Sequence, residues 1–174
     1  MNLIDNSTIR RRDRILDEQS ILELIQSADY GTLSMVETNE TNETKITKGY
    51  GIPLNYVYNE QKNCLYFHGA YEGKKVELLK QNPNVSFCIV GKTNVIGEKL
   101  TTEYQSVIIE GRIELCVDGE EKTNALYELV GKHVKLPRNQ LEEQFDKMIM
   151  GSYQRTQVMK LIISKISGKS KKVL

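Results

Sequence analysis

From residue 30 to residue 117 the chain is a succession of β-rich runs joined by short turn signals, with one short helical segment among them. Gly31–Val36 and Gly49–Tyr58 are the first two runs, and Asn59–Asn63 turns the chain into Cys64–His68. Asn84–Val90 and the long Thr102–Val117 follow, with Gly111 read as a bend or bulge in the latter. Strands in succession with short connections favour an antiparallel barrel. The alternation of strand and helix that builds a parallel sheet is missing.

Helical patterns flank this core. Asp17 is placed to cap a helix, with Leu16 and Ile21 as a hydrophobic staple and Ile21, Leu22, Ile25 and Ala28 along one face. Gly73–Gln81 reads as the inserted helix, stopped by Asn82-Pro83. Glu120–Val130 is a further helix after the Asp118-Gly119 turn, and the charged stretch Asn139–Met148 reads as helical too. A last strand runs Gln157–Ile166, and its basic tail from Gly168 is expected to fray. The polar tandem between Glu37 and Lys45 lacks apolar residues and reads as a solvated hairpin tip. The fold class is therefore mainly β with flanking helices (α+β). Residues 1–16 form an arginine-bearing arm, 17–169 one domain, and 170–174 a tail.

The charges leave few alternatives for a partner. With 24 Lys and Arg against 23 Asp and Glu among 174 residues, the net charge of +1 offers no electrostatic basis for nucleic acid or an anionic membrane. No apolar run approaches the ~20 residues of a spanning helix, and the N-terminus has no signal-like apolar stretch. A cytoplasmic setting and a small-molecule partner are the expectations. Cys64, Cys88 and Cys116 lie in separate strand-like runs and read as free buried thiols. With His68 and His133 the only histidines, no metal site is expected.

The segment with the most chemistry joins a strand to a helix: Tyr66-Phe-His-Gly-Ala-Tyr-Glu-Gly-Lys-Lys75. Lys74 and Lys75 fall in the first helical turn, where cations oppose the helix dipole at about 0.3–1 kcal/mol each. An anion at that junction would reverse the sign, since helix N–H groups and two ammonium groups would converge on it. Gly69 and Gly73 let the backbone approach such a ligand. A solvated basic turn has the same local pattern. The spacing is not that of a nucleoside-triphosphate loop, and no Ser or Thr follows the lysines. His68, at the strand end, becomes a candidate ligand contact or proton donor. Pro53, in Gly51-Ile-Pro-Leu-Asn-Tyr56, belongs at a sheet edge, where neighbouring amides stay free for a planar ligand.

Several ordered blocks carry a resemblance: Arg11-Arg-Asp-Arg14, Tyr30-Gly-Thr-Leu-Ser34, Gly51–Tyr56, Tyr66–Ala70 with Gly73-Lys-Lys75, Asn82–Ser86, Tyr104-Gln-Ser-Val107 with Glu110-Gly-Arg112, and Ile166-Ser-Gly-Lys169. In their order and spacing the chain resembles the FMN-binding split β-barrels related to pyridoxamine 5'-phosphate oxidase. Within these it is most similar to the Nim-type nitroimidazole-resistance reductases. The resemblance implies an antiparallel split barrel that binds FMN at the interface of a homodimer. It implies that Pro53, Leu54, Asn55 and Tyr56 face the flavin through main-chain groups. It sets His68 and Gly69 beside the flavin, with His68 catalytic, and Lys74 and Lys75 on its phosphate. Ser106 falls where the oxidase branch has a glutamine that reaches the cofactor from the second subunit. The oxidase's C-terminal substrate-binding pattern is missing, and there is no tryptophan. The implied activity is therefore electron transfer from reduced flavin to a small organic substrate, with nitro-aromatics as candidates and oxidation of pyridoxal precursors not expected. A non-catalytic flavin- or haem-binding sensing module of the same fold is the alternative.

Overall fold

The computed structural model describes residues 3–40, 45–134, 143–147 and 151–172. Its helices are α1 (Glu18–Ser27), α2 (Lys74–Gln81) and α3 (Gly119–His133). Its strands are β1 (Tyr30–Glu40), β2 (Lys45–Asn55), β3 (Val57–Asn59), β4 (Cys64–Gly69), β5 (Asn84–Val90), β6 (Asn94–Ile96), β7 (Thr101–Val117) and β8 (Gln157–Lys171). All strand pairings are antiparallel, in the order β2-β1-β5-β7-β8-β4-β3, with the short β6 added on β7. The first and last strands of that order, β2 and β3, are consecutive in the chain and separated only by Tyr56. The sheet thus curls until its two edges meet through the chain itself. No ladder joins β2 to β4 among the described residues. The barrel is split there.

The alternation of side chains explains the curl. Leu33 and Met35 of β1, Phe87 and Ile89 of β5, Val107 and Ile109 of β7, and Leu161 and Ile163 of β8 point into one core with Leu65 and Phe67 of β4. Phe87 is its centre, packed edge-on against Tyr56 (5.0 Å) and Phe67 (5.1 Å). The other face of β4 carries Cys64 and Tyr66, which pack with Val158 against Ala125, Leu126 and Leu129 of α3. The sheet is therefore covered by α1 at one end of the core and by α3 on the outside of β4.

Local signals behave as their chemistry requires. Asp17 caps α1, its Oδ1 accepting from the Ser20 amide at 2.9 Å. The buried stripe of α1 is Ile21, Leu24 and Ile25, so Leu24 takes the place expected for Leu22. Gly111 sits at a register shift between β7 and β8, and a Cβ there would lie 2.1 Å from the Ile162 carbonyl oxygen. Cys64 is buried as expected, whereas Cys88 is only half-buried. Of the charged stretch 139–148, only Glu143–Lys147 lies in the described residues, and it is helical.

Three boundaries differ from expectation. The hairpin of β1 and β2 extends its ladder to Glu40↔Lys45, because the polar tandem pairs through its backbone and needs no core. Helix α3 continues to His133, past Gly131. Where the tail is described it does not fray: from Gly168 it pairs with β7 as far as Tyr104↔Lys171, and residues 173–174 lie outside the described residues. The N-terminal arm closes the opposite edge of this tail, with Ile4 bridging Ile166 and Ile15 bridging Lys169. Asn6 Oδ1 accepts from the Gly168 amide at 2.9 Å.

Candidate functional site

The split brings the two informative sequence runs together. Continued past Val57↔Tyr66, the β3–β4 register runs Tyr56 toward Phe67 at one step and Asn55 toward His68 at two. The ends of β2 and β4 therefore converge with no ladder between them, leaving backbone groups of both available to a ligand. Pro53 and Asn55 are exposed on the edge strand, and Leu54 is half-buried. With Tyr30, which is 64% exposed, these three line an open hollow of about 320 Å³. Asn55 is fixed by its Nδ2, which donates to the Asp29 carbonyl at 3.0 Å.

Tyr56 plays a different part from its neighbours. Its ring is wholly buried and its hydroxyl donates to the Ile25 carbonyl at 2.6 Å. Burial, with a smaller contribution from Asp29, holds this phenol above its ordinary pKa. Its main chain is buried as well, and its carbonyl has a partner: His133 Nε2 lies 3.2 Å away.

His68 pairs with Val158 across β4 and β8, and its imidazole is exposed. By alternation it shares the face of Cys64 and Tyr66, on the α3 side. Its pKa is lowered, first by desolvation and then by the charges of Lys75 and His133. Gly69 follows. A Cβ there would lie 2.6 Å from Lys75 Nζ, so the ammonium sits directly against this glycine. Gly73, at φ 109°, caps α2 in a conformation that side chains avoid.

The two lysines of α2 are not equivalent. Lys74 Nζ forms an ion pair with Glu37 at 2.8 Å and lies 4.6 Å over the Tyr50 ring. The hydrogen bond to Lys74 holds the Glu37 carboxyl below its usual range. Lys75 is half-buried, its pKa is lowered by desolvation, and among the described residues no carboxylate pairs with it. An ammonium short of both water and counter-charge favours an anion beside it. Ser106 is remote from these groups within one chain. It faces Lys169 near the far end of β8, whereas His68 faces Val158 near its start.

The last turn of α3 adds two groups that the sequence reading omitted. Lys132 Nζ lies 3.8 Å over the Tyr56 ring, buried and without a hydrogen-bond partner. Burial pushes it down to about 8, against the opposing charge of Asp29. His133 sits between the Tyr56 carbonyl and Asp29, whose Oδ1 is 4.0 Å from its Nδ1. Basic residues commonly end helices, and Lys132-His133 was the available sign that α3 outruns Val130. Among the described residues, no group of three or more His, Cys, Asp or Glu side chains could hold a metal ion, and no helix is long and apolar enough to cross a membrane.

Solved structures share this architecture. A candidate 5-nitroimidazole antibiotic resistance protein from Bacteroides thetaiotaomicron aligns over 90% of this chain and 86% of its own, with a TM-score of 0.67 and 23% identity. A conserved hypothetical protein from Mycobacterium tuberculosis aligns over 92% and 88%, with a TM-score of 0.68 and 14% identity. A FAD-binding protein from Mesorhizobium loti aligns over 91% and 98%, with a TM-score of 0.55 and 21% identity. No curated protein matches the sequence. The family model for pyridoxamine 5'-phosphate oxidase matches residues 17–170, from the N-cap of α1 to the penultimate residue of β8. On that match and on the split antiparallel barrel, the chain belongs to the pyridoxamine 5'-phosphate oxidase family.

Proposed function

We propose that this protein is an FMN-binding oxidoreductase, passing electrons from reduced flavin to a small organic substrate such as a nitro-aromatic. The observation that carries the reading is Lys75: a half-buried ammonium without a carboxylate, pressed against Gly69 where the barrel is split. The chemistry fits a phosphate monoester, which supplies two negative charges to an under-compensated cationic corner. The flavin-binding class is supported by the family and by the FAD-binding relative of the same fold. The nitro-aromatic substrate is supported by the relative from Bacteroides.

Bound at the split, FMN would supply reversible electron transfer. The chain's own residues bind and orient it. Lys75 holds the phosphate, with Lys74 available once it leaves Glu37. The edge formed by Pro53, Leu54 and Asn55 offers main-chain groups to the ring, and Tyr56, buried behind it, would reach the flavin only if His133 releases its carbonyl. Asn55 keeps that edge in register through its bond to the α1–β1 connection. Beside the flavin, His68 donates a proton from its imidazole to the reduced substrate. Because its pKa is lowered, it gives up that proton more readily than an ordinary histidine.

The position of Ser106 supports a homodimer. If this residue touches the cofactor, it does so from a second copy, since within one chain it lies at the other end of β8. The outer face of β1, β5 and β7 suits such a contact: Ser34, Ser86 and Ile108 line a shallow groove of about 500 Å³ there.

The test is the protein as purified. FMN, identified by mass after release, is expected at about one equivalent per chain. Recovery of FAD alone, or of haem with its Soret band, overturns the FMN assignment. His68→Ala is expected to keep FMN and lose turnover of a nitro-aromatic with NAD(P)H, measured against free FMN. Full activity in that variant removes His68 from catalysis.

A further inference from the structure

The loop between β4 and α2 contains a second polar group whose surroundings the proposed activity does not explain. Tyr71, 42% exposed, lies between Gly69 and Gly73. Its hydroxyl oxygen accepts a hydrogen bond from Lys122 Nζ at 3.0 Å. Lys122, on the first turn of α3, is only 2% exposed. It also donates to the Tyr153 carbonyl at 2.9 Å and lies 4.0 Å over the Tyr153 ring. Among the described residues it has no carboxylate partner. A lysine buried to this degree is normally paired with an acid.

The hydrogen-bond inventory then determines what Tyr71 can do. A phenol has one proton to donate and lone pairs to accept with. Since an ammonium can only donate, Lys122 occupies a lone pair, and the phenol proton points elsewhere. That proton has no acceptor within the described chain. Lys122 holds the hydroxyl oxygen in place, and at this exposure the phenol proton is open to solvent and to any ligand bound in the loop. Its loop is the one whose other end carries Lys75. Lys122, behind the phenol, is held by the Tyr71 hydroxyl, the Tyr153 carbonyl and the two rings, and its positive charge favours an anion bound beside the phenol.

We propose that Tyr71 is a ligand of the phosphate group bound at the β4–α2 loop, its hydroxyl donating to a phosphate oxygen, and that Lys122 is the positioning residue that fixes and charges it from behind. The proposal rests on the reading of this loop as the anion end of the flavin site, and adds to Lys75 a donor from the loop and a cation from α3. It makes α3 part of the phosphate site and not merely a cover for β4.

The experiment compares ligands that differ only in the phosphate. FMN and riboflavin are titrated by fluorescence quenching into wild-type protein freed of flavin, Tyr71→Phe, Lys122→Met and Lys122→Arg. Inorganic phosphate is titrated by thermal shift into the same four. Tyr71→Phe removes one hydroxyl, keeps the ring, and leaves Lys122 its bond to the Tyr153 carbonyl. It is expected to weaken FMN about tenfold and riboflavin less than about twofold, the loss expected for one hydrogen bond to a charged acceptor. Lys122→Met should weaken FMN at least as much, and Lys122→Arg should restore part of the loss, with far-ultraviolet circular dichroism verifying the fold. Equal effects on FMN and riboflavin, or none, overturn the proposal. If wild-type protein binds neither flavin but is stabilised by phosphate, and Tyr71→Phe abolishes that shift, the phosphate site stands while the flavin reading falls. Absence of both flavin and phosphate binding refutes both.

Discussion

Two adjacent lysines show how much a neighbour matters. Both read alike in the chain, yet Glu37 takes the charge of Lys74, and among the described residues no carboxylate takes that of Lys75. Lys75→Ala is therefore expected to raise the FMN dissociation constant by about 10–100-fold, the range for losing a hydrogen bond to a charged group. Lys74→Ala should cost less, and Glu37→Gln should tighten binding by releasing Lys74; fluorescence titration measures all three. If Lys74→Ala proves the more damaging, the assignment of roles is reversed. His68 carries a pH dependence. Its folded pKa lies below the ordinary value of 6.5, so the unfolded chain binds the proton first as pH falls. Its contribution to stability is complete above 6.5 and is lost as pH falls through the lowered value. Urea unfolding at a series of pH values, compared with His68→Gln, should show that slope only in wild type. Lys75→Met removes a nearby cation and should move the His68 titration, followed by NMR, to higher pH. Lys132 is a buried donor without an acceptor, and Lys132→Met is expected to stabilise the fold by about 1 kcal/mol. A loss of stability in that variant would point to a partner for the ammonium in solution.

Among the elements, α3 depends on one carboxylate. Glu121 Oε1 accepts from the Tyr66 hydroxyl and from Lys62 and Lys160, each lysine at 3.1 Å. These bonds, Tyr66 first, hold its carboxyl at about 2, against 4.5 unperturbed. Its stabilisation is thus present above about 4.5 and is lost as pH falls through about 2. Glu121→Ala is expected to cost about 2 kcal/mol, because it leaves a buried tyrosine hydroxyl and two ammonium groups without their shared acceptor. Hydrogen exchange should report the loss in α3 and β4 before the rest of the sheet. At the bulge, Gly111→Ala would drive a methyl group into the Ile162 carbonyl and is expected to cost about 1–3 kcal/mol by chemical denaturation.

For the whole molecule, the decisive feature is that β2 and β3 are neighbours in the chain and opposite edges in the sheet. The split lies where the chain passes from one to the other. Its position beside Asn55 and His68 is where the proposed site lies. A homodimer is expected to complete it. Sedimentation should give twice the mass of the chain, and Ile108→Glu, on the outer groove, should yield monomers that also lose FMN. Monomers retaining FMN would show the site to be complete in one chain.

The chain by itself was enough for the antiparallel architecture, the cap at Asp17, the bulge at Gly111, and the cationic strand-to-helix junction. Each depends on local periodicity or on the conformational demands of one residue. The family resemblance added an expectation at Ser106, which lies opposite Lys169 near the far end of β8. What local pattern could not supply was everything that depends on distant partners: the pairing of Lys74 with Glu37, the α3 end meeting Tyr56, and the tail held between β7 and the arm. Charge compensation and edge pairing are set by groups far apart in sequence. Only the curled sheet, by bringing them within a few ångströms, distinguishes an isolated cation from a neutralised one.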